Sequence, residues 1–129
     1  GEDEILNHII SYVSTGTGAF QSFVSAKKNL IFSGLEIDIT NRLVKKQQEE
    51  IILTFTEFEI LLLLAQNAGI VFCKEQIYDS VWKEPYFGDY NIVMSHIRNI
   101  REKIEDNPSK PIYIQTVWGV GYRFNQKMV

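Results

Sequence analysis

The sequence predicts an α+β domain with an N-terminal four-stranded antiparallel sheet, three helices and a C-terminal β-hairpin. Three observations predict this order. Short apolar runs alternate with turn residues from Asn29 to Thr54, which is typical of a meander of strands. Three segments with helical signals follow, and the last has apolar residues at helical spacing. Two β-rich runs, residues 112–117 and 121–124, then lie on either side of a Trp-Gly-Val turn.

The first strands are predicted from apolar runs and the turn residues between them. Residues 35–39 alternate apolar and acidic side chains, the pattern of a strand with one buried face. Ser33 and Gly34 mark one turn, residues 40–42 mark the next, and residues 47–50 mark the third. The predicted strands therefore cover residues 30–32, 35–39, 43–44 and 51–53.

The helices are predicted from capping and stop signals. Thr56 and Glu59 match a capping box, in which a hydroxyl and a carboxylate satisfy backbone amides at the start of a helix. We therefore expect a first helix from Glu57 to Ala68. A second is expected over residues 74–82, and a third over residues 90–105, before Asn-Pro ends it.

The single cysteine, Cys73, lies at the predicted N-cap of the second helix. A thiol at a helix N-terminus can have a lowered pKa, which would suit redox sensing. A poor cap with no regulatory role is the other interpretation. One cysteine excludes an internal disulfide and fits a reducing compartment.

The third helix carries the most information about function. Its apolar residues form one narrow stripe, made of Val93, Ile97, Ile100 and Ile104. The opposite face is polar and contains Asn91, Ser95, Arg98, Asn99 and Glu102. Asparagine and arginine pair with the edges of adenine and guanine in the major groove, which an α-helix fits. A solvated helix face without a partner is the alternative, and we expect Glu102 to pair with Arg98 at i+4.

Length and composition limit the possible classes of protein. With 129 residues, 45% of them hydrophobic, the chain can build one core. The net charge of −3 divides into −6 for residues 1–89 and +3 for residues 90–129, which allows a basic face on an acidic body. The apolar run 60–65 is too short to span a bilayer, so we expect a cytoplasmic protein. Two separate histidines and no catalytic constellation predict no metal, no cofactor and no enzyme.

The order of helices and hairpin is that of a winged helix-turn-helix, and four sequence motifs make the resemblance specific. Residues 53–61 resemble the "LTPTEFxLL" start of the OmpR/PhoB-type effector domain of bacterial two-component response regulators. Residues 74–82 resemble its "REQL…VW" helix, and residues 96–104 resemble "HIRRLRKKL". Residues 116–124 resemble "TVRGVGYRF". The resemblance covers about residues 29–125.

The resemblance implies sequence-specific binding of double-stranded promoter DNA, at direct-repeat half-sites, by the effector domain of a transcription factor. The third helix would enter the major groove and the hairpin wing would touch the minor groove. The implied DNA contacts are Trp82, Asn91, Ser95, His96, Arg98, Asn99, Arg101, Thr116, Trp118 and Tyr122. The implied RNA polymerase loop contains Lys83, Glu84, Tyr86, Phe87 and Asp89. Relatives often have arginine at the positions of Asn91, Asn99 and Trp118, so three cationic contacts are missing here.

The resemblance also suggests how the whole chain is organised. Residues 1–13 form a predicted short amphipathic helix, either the last helix of a receiver domain or an unrelated extension, and residues 14–28 a linker. A receiver domain and a sensor kinase would then be partners outside this chain. Two other functions stay open. One is a winged helix repurposed as a protein–protein interaction module, and the other is the same domain in a membrane-anchored regulator.

Overall fold

The computed structural model describes residues 29–83 and 90–128, with only the backbone of Tyr90. The predicted helix over residues 1–13 and linker over residues 14–28 lie outside the described residues. The N-terminal sheet has four antiparallel strands in the order β1-β2-β3-β4. They are β1 (Leu30–Phe32), β2 (Leu35–Asp38), β3 (Leu43–Lys46) and β4 (Glu49–Ile51).

Three helices and a hairpin follow the sheet, as predicted. The helices are α1 (Phe55–Gln66), α2 (Lys74–Trp82) and α3 (Tyr90–Ile104). The hairpin, called the wing below, pairs β5 (Ile114–Val117) with β6 (Gly121–Phe124), and a short 3₁₀ turn, Gln126–Met128, follows it. Within the described residues, none of the helices is long and apolar enough to cross a membrane.

One hydrophobic core joins the sheet, the helices and the wing. The sheet contributes Ile37 and Val44, α1 contributes Ile60 and Leu64, and the wing contributes Phe124, all buried. The predicted stripe of α3 is confirmed, because its four members are at most 1% exposed: Val93, Ile97, Ile100 and Ile104. The polar face of α3 therefore points away from this core.

The predicted capping box at the start of α1 is wrong by two residues. The N-cap is Thr54, whose hydroxyl accepts from the amide of Glu57, and the Glu57 carboxylate accepts from the amide of Thr54. The sequence offers the same Thr-x-x-Glu spacing at Thr56. Glu57 is the buried member, and Lys103 from α3 donates to it at 2.6 Å, whereas Glu59 pairs with Arg42. The tertiary structure distinguishes the two equal local signals by burying Glu57, which is 3% exposed, and α1 ends at Gln66 instead of Ala68.

The β3–β4 turn is also tighter than predicted. A four-residue turn and a strand over residues 51–53 were expected, but β4 is Glu49–Ile51. Gln47 and Gln48 alone make the turn, with φ of 52° and 71°. Lys45 lies opposite Glu50, and Lys46 opposite Glu49, so opposite charges favour this register.

The Glu57–Lys103 pair makes stability depend on pH at the acid end. Burial raises the pKa of the Glu57 carboxyl, but the hydrogen bonds and charge of Lys103 and Thr54 outweigh burial and hold the pKa below its ordinary value of 4.5. Stability from a lowered pKa is present above the unfolded value and is lost as the pH falls through the folded one.

We therefore expect Glu57→Gln to destabilise the domain at neutral pH, with a difference from wild type that shrinks as the pH falls below about 4.5. Urea unfolding at a series of pH values measures this difference. A difference that stays constant into strong acid would contradict the assigned role of the carboxylate.

Candidate nucleic-acid interface

The exposed face of α3 presents polar side chains that the fold leaves available. Arg98 and Asn99 are exposed, and neither side chain has a hydrogen-bond or ion-pair partner among the described residues. Ser95 lies on the same face and is half-buried, and Asn91 is exposed in the first turn. The predicted pairing of Glu102 with Arg98 is wrong, because within the described part of the chain neither makes an ion pair. Arg98 is therefore ready to meet an outside partner.

An open groove runs between α3 and the wing. Its lining includes Asn91, Ser95 and Arg98 from α3 and Tyr122 from the wing. A second groove continues past Met94 to the wing turn and the start of α2, where Lys74 and Glu75 lie. The helix face and the wing turn thus border one concave surface.

The tip of the wing is an exposed aromatic residue. The turn is closed by a bond of 2.9 Å from the amide of Val120 to the carbonyl oxygen of Val117, with Gly119 at φ 79°. Trp118 is 89% exposed and Val120 is 57% exposed. Of the implied wing contacts, Trp118 is the one that the structure presents to solvent.

The other two implied wing contacts, Thr116 and Tyr122, have partners inside the protein. Tyr122 is buried, and its amide and carbonyl form reciprocal bonds with Phe72 at 2.9 and 2.8 Å. The extended residue Phe72 therefore adds a bridge to the wing, as a short third strand would. The hydroxyl of Thr116 accepts from Arg101 at 2.8 Å.

Trp82 and His96 pack in the interface between α2 and α3. The Trp82 ring stacks on Tyr78, with centroids 4.7 Å apart, and lies 5.6 Å from the His96 ring. Nδ1 of His96 is buried and has no hydrogen-bond partner among the described residues. Trp82 is the last residue of α2 and His96 belongs to α3, and both side chains are half-buried.

Arg101 is half-buried between α3 and the wing, although the resemblance implies that it contacts DNA. Its Nε and Nη2 donate to the carbonyl oxygen of Ile114 at 3.2 and 2.9 Å, and its guanidinium lies 5.6 Å from the Tyr122 ring centre. Burial lowers the pKa of Arg101, while Tyr122 and Glu105 oppose that shift. Arginine stays charged in proteins, so these bonds are charge-assisted.

Glu105 is the residue that sequence reasoning missed. It lies just past α3 and is 5% exposed, and its carboxylate accepts from the amides of Ile112, Tyr113 and Ile114 at 2.7 to 3.1 Å. These bonds explain why β5 begins at Ile114, two residues later than predicted. The sequence signal is weak, since an acidic residue at the end of a helix shows no long-range partner.

Two further sequence predictions meet the structure only in part. Glu84, Tyr86, Phe87 and Asp89 of the implied polymerase loop lie outside the described residues. Lys83 is exposed and ends α2 in the left-handed region, with φ 59°. Cys73 is the half-buried N-cap of α2, as predicted, and its amide donates to Oε1 of Gln76 at 2.9 Å.

Comparison with known proteins agrees with this geometry. Residues 48–124 match the family model described as "Transcriptional regulatory protein, C terminal". The chain is 54% identical over 92 residues to the uncharacterized transcriptional regulatory protein YcbL of Bacillus subtilis, covering 71% of this chain and 41% of that protein. The matched part of the chain spans less than half the length of YcbL and of two further curated relatives.

Two solved structures have the same fold. The response regulator DrrB, an OmpR/PhoB homologue from Thermotoga maritima, aligns with a TM-score of 0.70 and 42% identity, over 76% of this chain and 44% of that chain. The RstA DNA-binding domain of Klebsiella pneumoniae, solved in complex with the RstA box, aligns with a TM-score of 0.71 and 32% identity, over 76% and 97%. This chain therefore belongs to the family of C-terminal domains of transcriptional regulatory proteins, with the winged helix of the OmpR/PhoB type.

Proposed function

We propose that residues 29–125 bind double-stranded DNA sequence-specifically, as the effector domain of a response-regulator transcription factor. One observation carries this proposal. The exposed face of α3 presents Arg98 and Asn99 without partners among the described residues, next to an open groove and an exposed wing tip. RstA, which shares the fold, was solved with its DNA box.

The proposed mechanism is binding without catalysis. The exposed face of α3 enters the major groove, where Asn91, Ser95 and Asn99 reach base edges and Arg98 contacts a guanine edge or a phosphate. Trp118 at the wing tip packs against the sugar faces of the adjacent minor groove. Trp82 at the end of α2 and His96 on α3 contact the phosphate backbone of the DNA in this proposal. The net charge of +3 over residues 90–129 favours an orientation in which α3 and the wing face the DNA. We place this binding in the cytoplasm.

The salt dependence of binding tests this function. If about 3 to 5 phosphates are neutralised, the logarithm of the affinity should fall with the logarithm of salt concentration with a slope of about −3 to −4.5. The slope is small because arginine is missing at Asn91, Asn99 and Trp118. Fluorescence anisotropy of a labelled duplex over a salt series measures it. A slope near −8 would reveal a basic surface larger than the one formed by α3 and the wing. No binding of the duplex at low salt would favour a protein-interaction module.

We also propose partners for the longer protein to which this segment corresponds. These partners are a receiver domain preceding the linker over residues 14–28, a sensor kinase and RNA polymerase, and membership of the family supports the proposal. Lys83, the first residue of the proposed polymerase loop, is exposed at the end of α2. Changing Tyr86 and Phe87 to serine should lower activated transcription and leave duplex binding unchanged. Transcription equal to wild type would exclude this loop as the polymerase contact.

A further inference from the structure

Two side chains at the end of α3 hold the wing in place. We propose that Arg101 and Glu105 form a clamp that fixes the wing relative to α3, so that Arg101 supports DNA binding as a positioning residue and not as a phosphate contact. The proposal rests on the DNA-binding function proposed above. It assigns Arg101 a different role from the one that the family resemblance implies.

The clamp bonds to both main-chain polar groups of one β5 residue, Ile114. The Glu105 carboxylate accepts from the amide of Ile114 at 2.9 Å, and the Arg101 guanidinium donates to the carbonyl oxygen of Ile114 at 2.9 and 3.2 Å. Arg101 and Glu105 are four residues apart, so they lie on one row of the helix. Ile114 is fully buried, and its main-chain groups need partners. The two side chains supply them as a neighbouring strand would.

The surroundings of Arg101 keep its side chain in the clamp. Its Nη2 also donates to the hydroxyl of Thr116 at 2.8 Å, and the guanidinium lies against the Tyr122 ring. A rotation toward a phosphate would break these bonds and leave the buried carbonyl of Ile114 without this charged donor. An unpaired buried acceptor is costly, so the rotation is opposed.

The clamp connects the two elements that meet DNA. Arg98 lies one turn before Arg101 on α3, and Trp118 lies two residues after Thr116 on the wing. When the clamp is lost, neither Arg98 nor Trp118 changes, but the wing is no longer held at a fixed distance from the helix. A binding site built on two elements loses affinity when their relative position loosens.

The sign of the effect at Glu105 separates positioning from electrostatics. Glu105→Gln removes a negative charge, so electrostatics alone predicts tighter binding of DNA. The clamp predicts binding about tenfold weaker per folded molecule. The affinity is measured by anisotropy with a duplex selected by the wild-type chain from a randomised pool, and the folded fraction is measured by circular dichroism. Val44→Ala, a core change in strand β3 that removes no hydrogen bond of the clamp, is the control for a general loss of stability.

The salt slope gives a second readout, at Arg101. Arg101→Gln should also weaken binding about tenfold, with a slope equal to that of wild type. A slope less steep by about 0.9 would show that Arg101 neutralises a phosphate and would overturn the proposal. Unchanged or tighter binding by either clamp variant, or the same loss in Val44→Ala, would also overturn it.

Hydrogen exchange in the free protein keeps the clamp testable if the proposed function fails. If the wild-type chain binds no duplex, the function proposed above is wrong. The clamp is then tested by the hydrogen-exchange rate of the Ile114 amide alone. In Glu105→Gln that amide should exchange at least about tenfold faster than in Val44→Ala. Equal exchange in both variants would contradict the clamp itself.

Discussion

Replacing Gly121 with alanine is expected to destabilise the domain by about 3 kcal/mol or more. A Cβ atom at Gly121 would lie 2.0 Å from the carbonyl oxygen of Phe72 and 2.8 Å from Cα of Cys73. Both atoms belong to the main chain, so no side-chain rotation relieves the clash. The backbone must shift, and the two bonds between Phe72 and Tyr122 then weaken. Urea unfolding followed by circular dichroism measures the loss.

Gly119→Ala is the matched control for this change. Gly119 lies two residues earlier, in the wing turn, with φ 79°, and a Cβ atom there would meet nothing within 4 Å. Alanine at this position brings only left-handed backbone strain, about 1 kcal/mol. If Gly121→Ala were no more destabilising than Gly119→Ala, the close approach of Phe72 to the wing would not be a structural requirement.

Glu105→Ala should destabilise the domain by about 3 to 4 kcal/mol, the second large effect. The change leaves the amides of Tyr113 and Ile114 buried without their acceptor, whereas Ile112 is exposed enough to bond to water. Each unsatisfied buried group costs about 1–3 kcal/mol. Glu105→Gln keeps one carbonyl acceptor and should therefore lose less stability than Glu105→Ala. Thermal or urea unfolding ranks the stabilities of the two variants and wild type.

Glu102→Ala is the control on the same helix. Glu102 is exposed and makes no ion pair within the described residues, so its replacement should change the stability by less than about 0.5 kcal/mol. Equal effects of Glu102→Ala and Glu105→Ala on stability would mean that helix propensity or surface charge explains the loss of stability, and not the hydrogen bonds from the amides of Tyr113 and Ile114 to Glu105.

The secondary structure was predictable because its signals are local. The alternation in residues 35–39, the turn residues of the first hairpins and the stripe from Val93 to Ile104 each lie within one short segment. The capping box was not settled by such signals, because Thr54 and Thr56 both start a Thr-x-x-Glu pattern. The tertiary structure buries Glu57 and pairs it with Lys103, which is 46 residues away, and no local rule includes that packing.

The candidate site was predictable only as a set of residues on a helix face. Arg98 and Arg101 are alike in the sequence, three residues apart on one helix. They differ in the structure because the wing brings the carbonyl of Ile114 to Arg101, whereas no described residue offers Arg98 a comparable partner. The same distant strand gives Glu105 its role. The local sequence pattern therefore predicts the exposed face of α3. Hydrogen bonds to residues distant in the sequence determine which charged side chains of α3 remain available to bind DNA.

Binding of a duplex by the Arg98→Ala variant tests the central claim most directly. Arg98 is a cationic side chain on the exposed face of α3 with no partner among the described residues, so its loss should weaken binding to a selected duplex by about 1–3 kcal/mol. Lys45→Ala removes the same charge from the exposed side of β3 and should change binding by less than about 0.5 kcal/mol. Anisotropy titration at one fixed salt concentration compares both variants with wild type. A folded Arg98→Ala variant that binds as tightly as wild type would contradict the assignment of this face to DNA.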